Sequence, residues 1–426
     1  MTPDATNDGR PVLHFTPQSG WINDPYGLTW YRGEYHLFFQ YVPDQVDWAV
    51  QQHWGHATSP DLLHWTTQRV ALSPGDGDDG IWSGSLALPE DGPATIFYTS
   101  VNLPRLDVAV ARTAHPLDAE WQSWEKGLVV ASVDPDSNVT TYRDPYVFHD
   151  GTTWKMIMGA GFADGRPAIL GYSSGDLAHW QYDGIVAEGT GNRSDELWLG
   201  EGWECPQLFP IEDRWALVVG VWESAGPHYV AYALGDYADG RFIPDSWHRL
   251  SYGPSYYAAS TFMDRDRRRG LIYWLKEVTD RGGQWAGAHS LPHTLALVND
   301  RLVARPHPNI DNLRHDRQTA TNGSLDLPAL ADVEWTLDSP ESNATLSIGN
   351  NENPELVLCA ERGVLRAETE AAAWEMPVSD GETLRIIVDG PIVEIFGAAG
   401  VLALPVSCGG SRRIKAEGSI TWYDLG

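Results

Sequence analysis

Three acidic residues stand at related places along the 426-residue chain. Asp24 opens an Asp-Pro-Tyr triplet in NDPYGLTW (23–30), and Asp144 opens another in RDPYVFHD (143–150). Glu204, in EGWECPQLF (201–209), heads a similar run with one residue slipped in. Asp144 follows Asp24 by 120 residues, and Glu204 follows Asp144 by 60. Carboxylates gathered at one pocket are the minimum set for cleaving a glycosidic bond: one ionised to attack or activate water, another protonated for the leaving oxygen. Crowding separates their pKa values, because ionising one disfavours ionising the next. Glu204 is the better fit for the acid, since its longer arm can follow the leaving group. A lone Asp-Pro also reads as a turn former. Three acids in register at multiples of about 60 residues, with Glu204 poorly suited to a turn, favour the chemical reading.

A repeat must deliver these acids. GEYHLFFQYV (33–42), GPATIFYTSV (92–101), TTWKMIMGAG (152–161), RWALVVGVW (214–222) and GLIYWLKEV (270–278) alternate aromatic or β-branched residues with polar ones, as strands do. No helical periodicity is convincing before about residue 310. SPDLLHW (59–65) and SGDLAHW (174–180) repeat a second pattern. A period of about 60 residues with four strands per unit predicts β-propeller blades. Five fit, near 20–75, 80–135, 140–195, 200–252 and 255–315. The first strand of each blade lies nearest the axis, so acids opening blades one, three and four would converge at one mouth. Beyond a polar linker (309–324), LRIIVDGPIVEIF (384–396) is a hairpin around Asp-Gly, and TLSIGN, ELVLCA and SITWYDL are further short strands. The predicted fold class is therefore all-β, with a propeller over 1–315 and a β-sandwich over 316–426.

Composition narrows the function. A net charge of −29, spread without long blocks, disfavours nucleic acid and anionic membranes as partners. No apolar run approaches the ~18 residues of a membrane span. The N-terminal MTPDATNDGRP lacks a basic start and an apolar core, so it does not read as a secretory signal, and a cytoplasmic chain is expected. Cys205, Cys359 and Cys408 are odd in number and lack C-x-x-C spacing, which fits a reducing compartment; a Cys359–Cys408 bridge has no positive support. His53 and His56 point to opposite faces of a strand, so no metal site is expected. WSGSLA (82–87) is not a nucleophile elbow, and GAGFADG (159–165) has no following helix for a dinucleotide. Trp21, Trp48, Trp54, Trp82 and Trp203 lie near the inner strands. Most Trp is expected to pack between blades; Trp21 and Trp203, flanking two of the acids, are candidates to stack on sugar.

WINDPYG (21–27), FFQYVP (38–43), HWGHATSPDLLHW (53–65), WSGS (82–85), YRDPYVF (142–148) and EGWECPQLF (201–209) together resemble glycoside hydrolase family 32, and VDGPIVEIFG (388–397) is similar to its C-terminal sandwich. The resemblance runs through essentially the whole chain. It implies a retaining, exo-acting β-fructofuranosidase acting on sucrose or fructans, with Asp24 as nucleophile, Glu204 as acid then base, and Asp144 binding fructosyl hydroxyls. Retention implies carboxylates ~5–5.5 Å apart. It further implies that Arg143 orients the acids, that Asn23, Gln40, Trp48, Trp82 and Ser83 line the fructose pocket, and that no metal or organic cofactor is needed. A carbohydrate is then the expected partner; oligomeric state is not legible. Ile22, Tyr26, Ser251 and His293 depart from the family's usual Met, Asn, Asp and Arg, which puts the pocket rim and substrate preference in question. Alternatives are a fructosyltransferase or fructan-specific hydrolase of the family, a five-bladed inverting arabinan hydrolase, and a binding protein without catalysis.

Overall fold

The computed structural model describes residues 9–280, 282–337, 344–350, 353–379, 381–407 and 412–426. Cys408 and the first eight residues lie outside the described residues. Five four-stranded units follow one another, opening on Gly20–Tyr31, Gly80–Ala87, Val139–His149, Gly202–Ile211 and Tyr256–Met263. These are the blades of a propeller. Within each, neighbouring strands pair antiparallel, as in Gly202–Ile211, Arg214–Glu223, Gly226–Ala238 and Arg241–Arg249. Two-residue turns close several hairpins: Arg32 and Gly33 both take positive φ between paired Tyr31 and Glu34. That is the twist-matched hairpin geometry. Gly20 and Trp21 pair in parallel with Trp285 and Ala286, which joins the last blade to the first. Gly287, at φ +80°, allows this seam, since a Cβ there would lie 1.9 Å from the Ile22 carbonyl oxygen.

The second repeated pattern is structural. Asp61 Oδ1 accepts from the amides of Leu63 and His64 at 3.0 and 2.9 Å, and Asp176 Oδ1 accepts from those of Ala178 and His179 at 2.9 and 2.8 Å. Trp65 and Trp180 each donate to the carbonyl three residues back. The pattern is a self-bonded Asx loop used twice.

The C-terminal region folds as a β-sandwich around Val333, Trp335, Leu346, Leu358, Ile386, Ile395 and Ile414. Its sheet takes in Ser251–Tyr252 from the propeller, paired in parallel with Val401–Leu402. A buried ionic cluster sits where the two parts meet. Asp389 accepts from the amides of Val12, Leu13 and His14 at 2.7, 2.8 and 3.0 Å, and its Oδ2 lies 2.8 Å from His14 Nδ1. His14 Nε2 faces Glu394 Oε1 at 3.6 Å, and Glu394 also receives the Leu291 amide at 3.3 Å. Burial alone would depress His14, but Glu394 and Asp389 overrule it and hold the imidazole at about 9. Glu394, which burial would raise, is pulled down to about 2 by His14. A raised histidine contributes stability that is complete below its unfolded value of 6.5 and lost as pH climbs through about 9. Replacing His14 by Leu should therefore cost about 3–5 kcal/mol, as breaking a buried pair does. Urea unfolding should also show a flatter stability profile between pH 7 and 10 in that variant than in the parent chain.

Candidate active site

Each inner strand carries one extra residue relative to its neighbour at the same height. The register slips between Ile22 and Pro25, Trp82 and Gly84, Arg143 and Tyr146, Glu204 and Gln207, and Tyr257 and Ser260. Such bulges break the in–out alternation and re-aim side chains. Asp144, Cys205 and Ala258 sit in these bulges at φ +63°, +47° and +49°, a sparsely populated region for non-glycine residues. Two consecutive residues per strand thereby meet at the propeller axis. Asn23, Trp82, Arg143, Glu204 and Tyr257 form one ring of positions, and Asp24, Ser83, Asp144, Cys205 and Ala258 the next.

This corrects the expectation that all three acids share one position in the repeat. Cys205, followed by Pro206, is the counterpart of Asp24 and Asp144; Glu204 stands one place earlier, with Arg143. The acids still gather, because the bulge lets both rings contribute.

Hydrogen bonds tie the cluster together. Asp24 Oδ2 accepts from Ser83 Oγ at 2.5 Å and from the Cys205 thiol at 3.3 Å, while Oδ1 accepts from Asn23 Nδ2 at 3.2 Å. Asn23 also donates to Gln40, whose Nε2 donates to Ser83 Oγ at 2.8 Å. Asp144 Oδ2 accepts from the Cys205 amide at 2.8 Å, and its own amide donates to Thr99 Oγ1 at 2.7 Å. Glu204 accepts from Arg143 Nη1 at 3.2 Å through one oxygen and from the Tyr257 hydroxyl at 2.9 Å through the other. Arg143 lies between the Trp82 and Trp222 rings, 5.4 and 5.2 Å from their centroids.

The electrostatics follow from burial. Desolvation is the chief cause that pushes Asp24 up to about 6, with the charge of Glu204 adding and the Ser83 hydrogen bond opposing. Desolvation likewise raises Asp144, against Arg143. Glu204 is pushed up to about 7, again by desolvation first, with Arg143 opposing and Asp144 reinforcing. Between about 6 and about 7 this ordering favours ionised aspartates beside a protonated Glu204.

Asn23, Gln40, Trp82, Ser83 and Arg143 all border this cluster. Trp48 is 48% exposed on the loop above, its ring edge-on to Trp82 at 5.8 Å. Trp21 remains partly open, donating to Asn23 Oδ1 at 3.2 Å and packing edge-on to Trp274. Trp203 does not face the cluster: it is buried between blades three and four, donates to the Leu199 carbonyl, and packs against Trp247. Ile22, Tyr26, Ser251 and His293, expected at the rim, are all buried. Ile22 and Tyr26 belong to the blade core, Ser251 Oγ accepts the Val230 amide, and His293 packs on Phe396 of the sandwich. His56 stacks on Phe38 and His36 inside blade one.

Tyr257, Thr99, Trp222 and Asp107, the second partner of Arg143, join the site unannounced by any motif. Tyr257 had a usable signal: it lies 53 residues after Glu204, close to one repeat period.

A five-bladed propeller with buried acids gathered on its axis and a sandwich at its side is the layout of a glycoside hydrolase. Residues 14–306 match the family model described as the glycosyl hydrolases family 32 N-terminal domain. A sucrose-6-phosphate hydrolase from Zymomonas mobilis is 33% identical over 362 residues, 79% of this chain and 68% of that protein. A fructan 6-exohydrolase from Beta vulgaris is 29% identical over 407 residues, 83% of this chain and 65% of that protein. The solved structure of a Bombyx mori GH32 β-fructofuranosidase superposes with a TM-score of 0.83 at 25% identity, covering 98% of this chain and 94% of that one. The chain belongs to glycoside hydrolase family 32.

Proposed function

We propose that the chain is a retaining, exo-acting β-fructofuranosidase that releases fructose from sucrose or short fructo-oligosaccharides. The observation that carries this reading is the pairing of a Ser83-bonded Asp24, raised only to about 6, with a Glu204 raised to about 7 on the same axis. In this reading Asp24 attacks the anomeric carbon of a fructosyl unit as Glu204 protonates the departing oxygen. Water then cleaves the fructosyl–enzyme ester, with Glu204 now taking its proton. Asp144 accepts fructosyl hydroxyls and faces the positive charge that develops on the ring. Asn23, Gln40 and Ser83 fix the Asp24 carboxylate, Arg143 and Tyr257 fix Glu204, and Trp48 and Trp82 give the sugar an apolar wall. The names of the relatives, which include fructan and sucrose-phosphate hydrolases, support a β-fructoside as substrate.

The pH profile of kcat/KM provides a prediction. Asp24 must be ionised and Glu204 protonated, so activity should rise through about 6 and fall through about 7, giving a narrow bell between them. A profile still climbing above pH 8 would contradict the assignment. The decisive test is a product time course on sucrose, 1-kestose, inulin and levan, with NMR of the first fructose released. The expected result is single fructose units, initially as the β-anomer, with glucose as the co-product from sucrose and sucrose from 1-kestose. Inversion, or release of internal fragments, would overturn the reading.

A further inference from the structure

Arg143 has a second carboxylate partner that the steps above leave unused. Its Nη2 donates to Asp107 Oδ1 at 3.1 Å while Nη1 reaches Glu204 at 3.2 Å. Asp107 thus stands one guanidinium away from the group assigned to protonate the leaving oxygen. The Asp107 side chain is 57% exposed, against 17% for Glu204. It lies just past the hairpin turn joining the Thr95–Asn102 and Arg105–Pro116 strands, at the end of blade two where the inner strands begin. Beside it opens a recess of about 310 Å3, lined by Pro104, Arg105, Asp107, Asp134, Ser137 and Thr140 among others. That volume is at the lower end of ~300–1,000 Å3 ligand pockets. A second hollow of about 280 Å3 shares Arg105 and Val108 with it.

Hydroxyls, carboxylates and a guanidinium are the mixture of donors and acceptors that pairs with sugar hydroxyls. The charge of the recess is unbalanced, with Asp107 and Asp134 against Arg105, in a chain of net charge −29. Other arginines at this end of the propeller are already matched: Arg166 pairs with Asp164 and Glu188, and Arg193 with Glu223.

We propose that this recess is the leaving-group subsite and that Asp107 makes it select a neutral, non-phosphorylated sugar. The inference rests on the β-fructofuranosidase reading. With one oxygen on Arg143, Asp107 has its second oxygen for a hydroxyl of the departing unit. A phosphoryl group, carrying about −1.5 to −2 at pH 7, would meet two carboxylates there. Such like-charge contact costs more than about tenfold in affinity.

The test compares kcat/KM on sucrose and on sucrose phosphorylated at the glucosyl C6, using the full chain and the variants Asp107→Asn and Asp134→Asn. The parent chain should prefer sucrose by more than about tenfold. Asp107→Asn should shrink that preference by about fivefold or more, and Asp134→Asn should shrink it less, as single like-charge removals do. The ratio cancels any general loss of turnover from a disturbed Arg143, so a merely structural role would leave it unmoved. Equal or better use of the phosphorylated substrate by the parent chain, or a ratio unchanged in both variants, would overturn the proposal. Sucrose cleavage with an unmoved ratio removes the subsite alone; no cleavage of any β-fructofuranoside removes the parent reading with it.

Discussion

Asp24→Asn is expected to lower kcat on sucrose by about 10^4-fold or more, because in the proposed mechanism it removes the nucleophile and leaves nothing else to attack. The substitution is close to isosteric. The neighbours that now hold the carboxylate can adapt: Ser83 Oγ can turn to accept from a new amide, and Asn23 and Gln40 keep their own bond. Removing a buried charge among other acids also relieves repulsion on Asp144, whose raised value owes part of its shift to Asp24. Thermal unfolding should therefore show a variant as stable as the parent or slightly more so. Turnover falling while stability holds is the pattern a nucleophile predicts. An undiminished rate would remove Asp24 from the mechanism altogether.

The second large effect belongs to Glu204→Gln. Loss of a positioned general acid should cost about 10^2–10^4-fold on sucrose, whose leaving group needs a proton. A fructoside with a good leaving group, such as an aryl β-fructofuranoside, should be cleaved to the ester with far less loss, so that the first step outruns the second. The pH profile should change in a definite sense. The fall through about 7 reflects deprotonation of Glu204, so it should vanish in the variant, while the rise through about 6 should remain. Removing one carboxylate also lessens the repulsion on Asp24, so that rise should move to slightly lower pH. A surviving fall near 7 would assign the acid to another residue.

Much of the fold was legible in the sequence because it repeats. Alternating segments, glycine-rich turns and a 60-residue period mark five four-stranded units without reference to any single contact. Asp24 and Asp144 were legible for the same reason, each beside a proline in the same sentence of residues. Register at Glu204 was not, because a bulge is a backbone event: the extra residue shifts which neighbour meets the axis, and no side-chain type announces it. Tyr257 was missed since its strand opens on Tyr-Tyr-Ala-Ala, which reads as core. Trp203 misled in the opposite direction, because adjacency in sequence to Glu204 means the opposite face wherever strand alternation still holds. Ser251 and His293 were misplaced for a different reason. Ser251 pairs along its backbone with Val401 and His293 packs on Phe396, both more than a hundred residues further along the chain and outside anything a local pattern records.

One extra residue in each inner strand has a consequence for how such a protein can change. Deleting Pro145, for example, would remove the bulge at Asp144 and turn the rest of that strand inside out, exchanging the sides on which Val147 and Phe148 lie. An insertion elsewhere in the strand would do the same. Length variation is thus barred from the axis, and descendants of this chain can trade letters there but not gain or lose them. New substrate preferences have to be written in the connections above the barrel of acids, where chain can be added without disturbing any pairing.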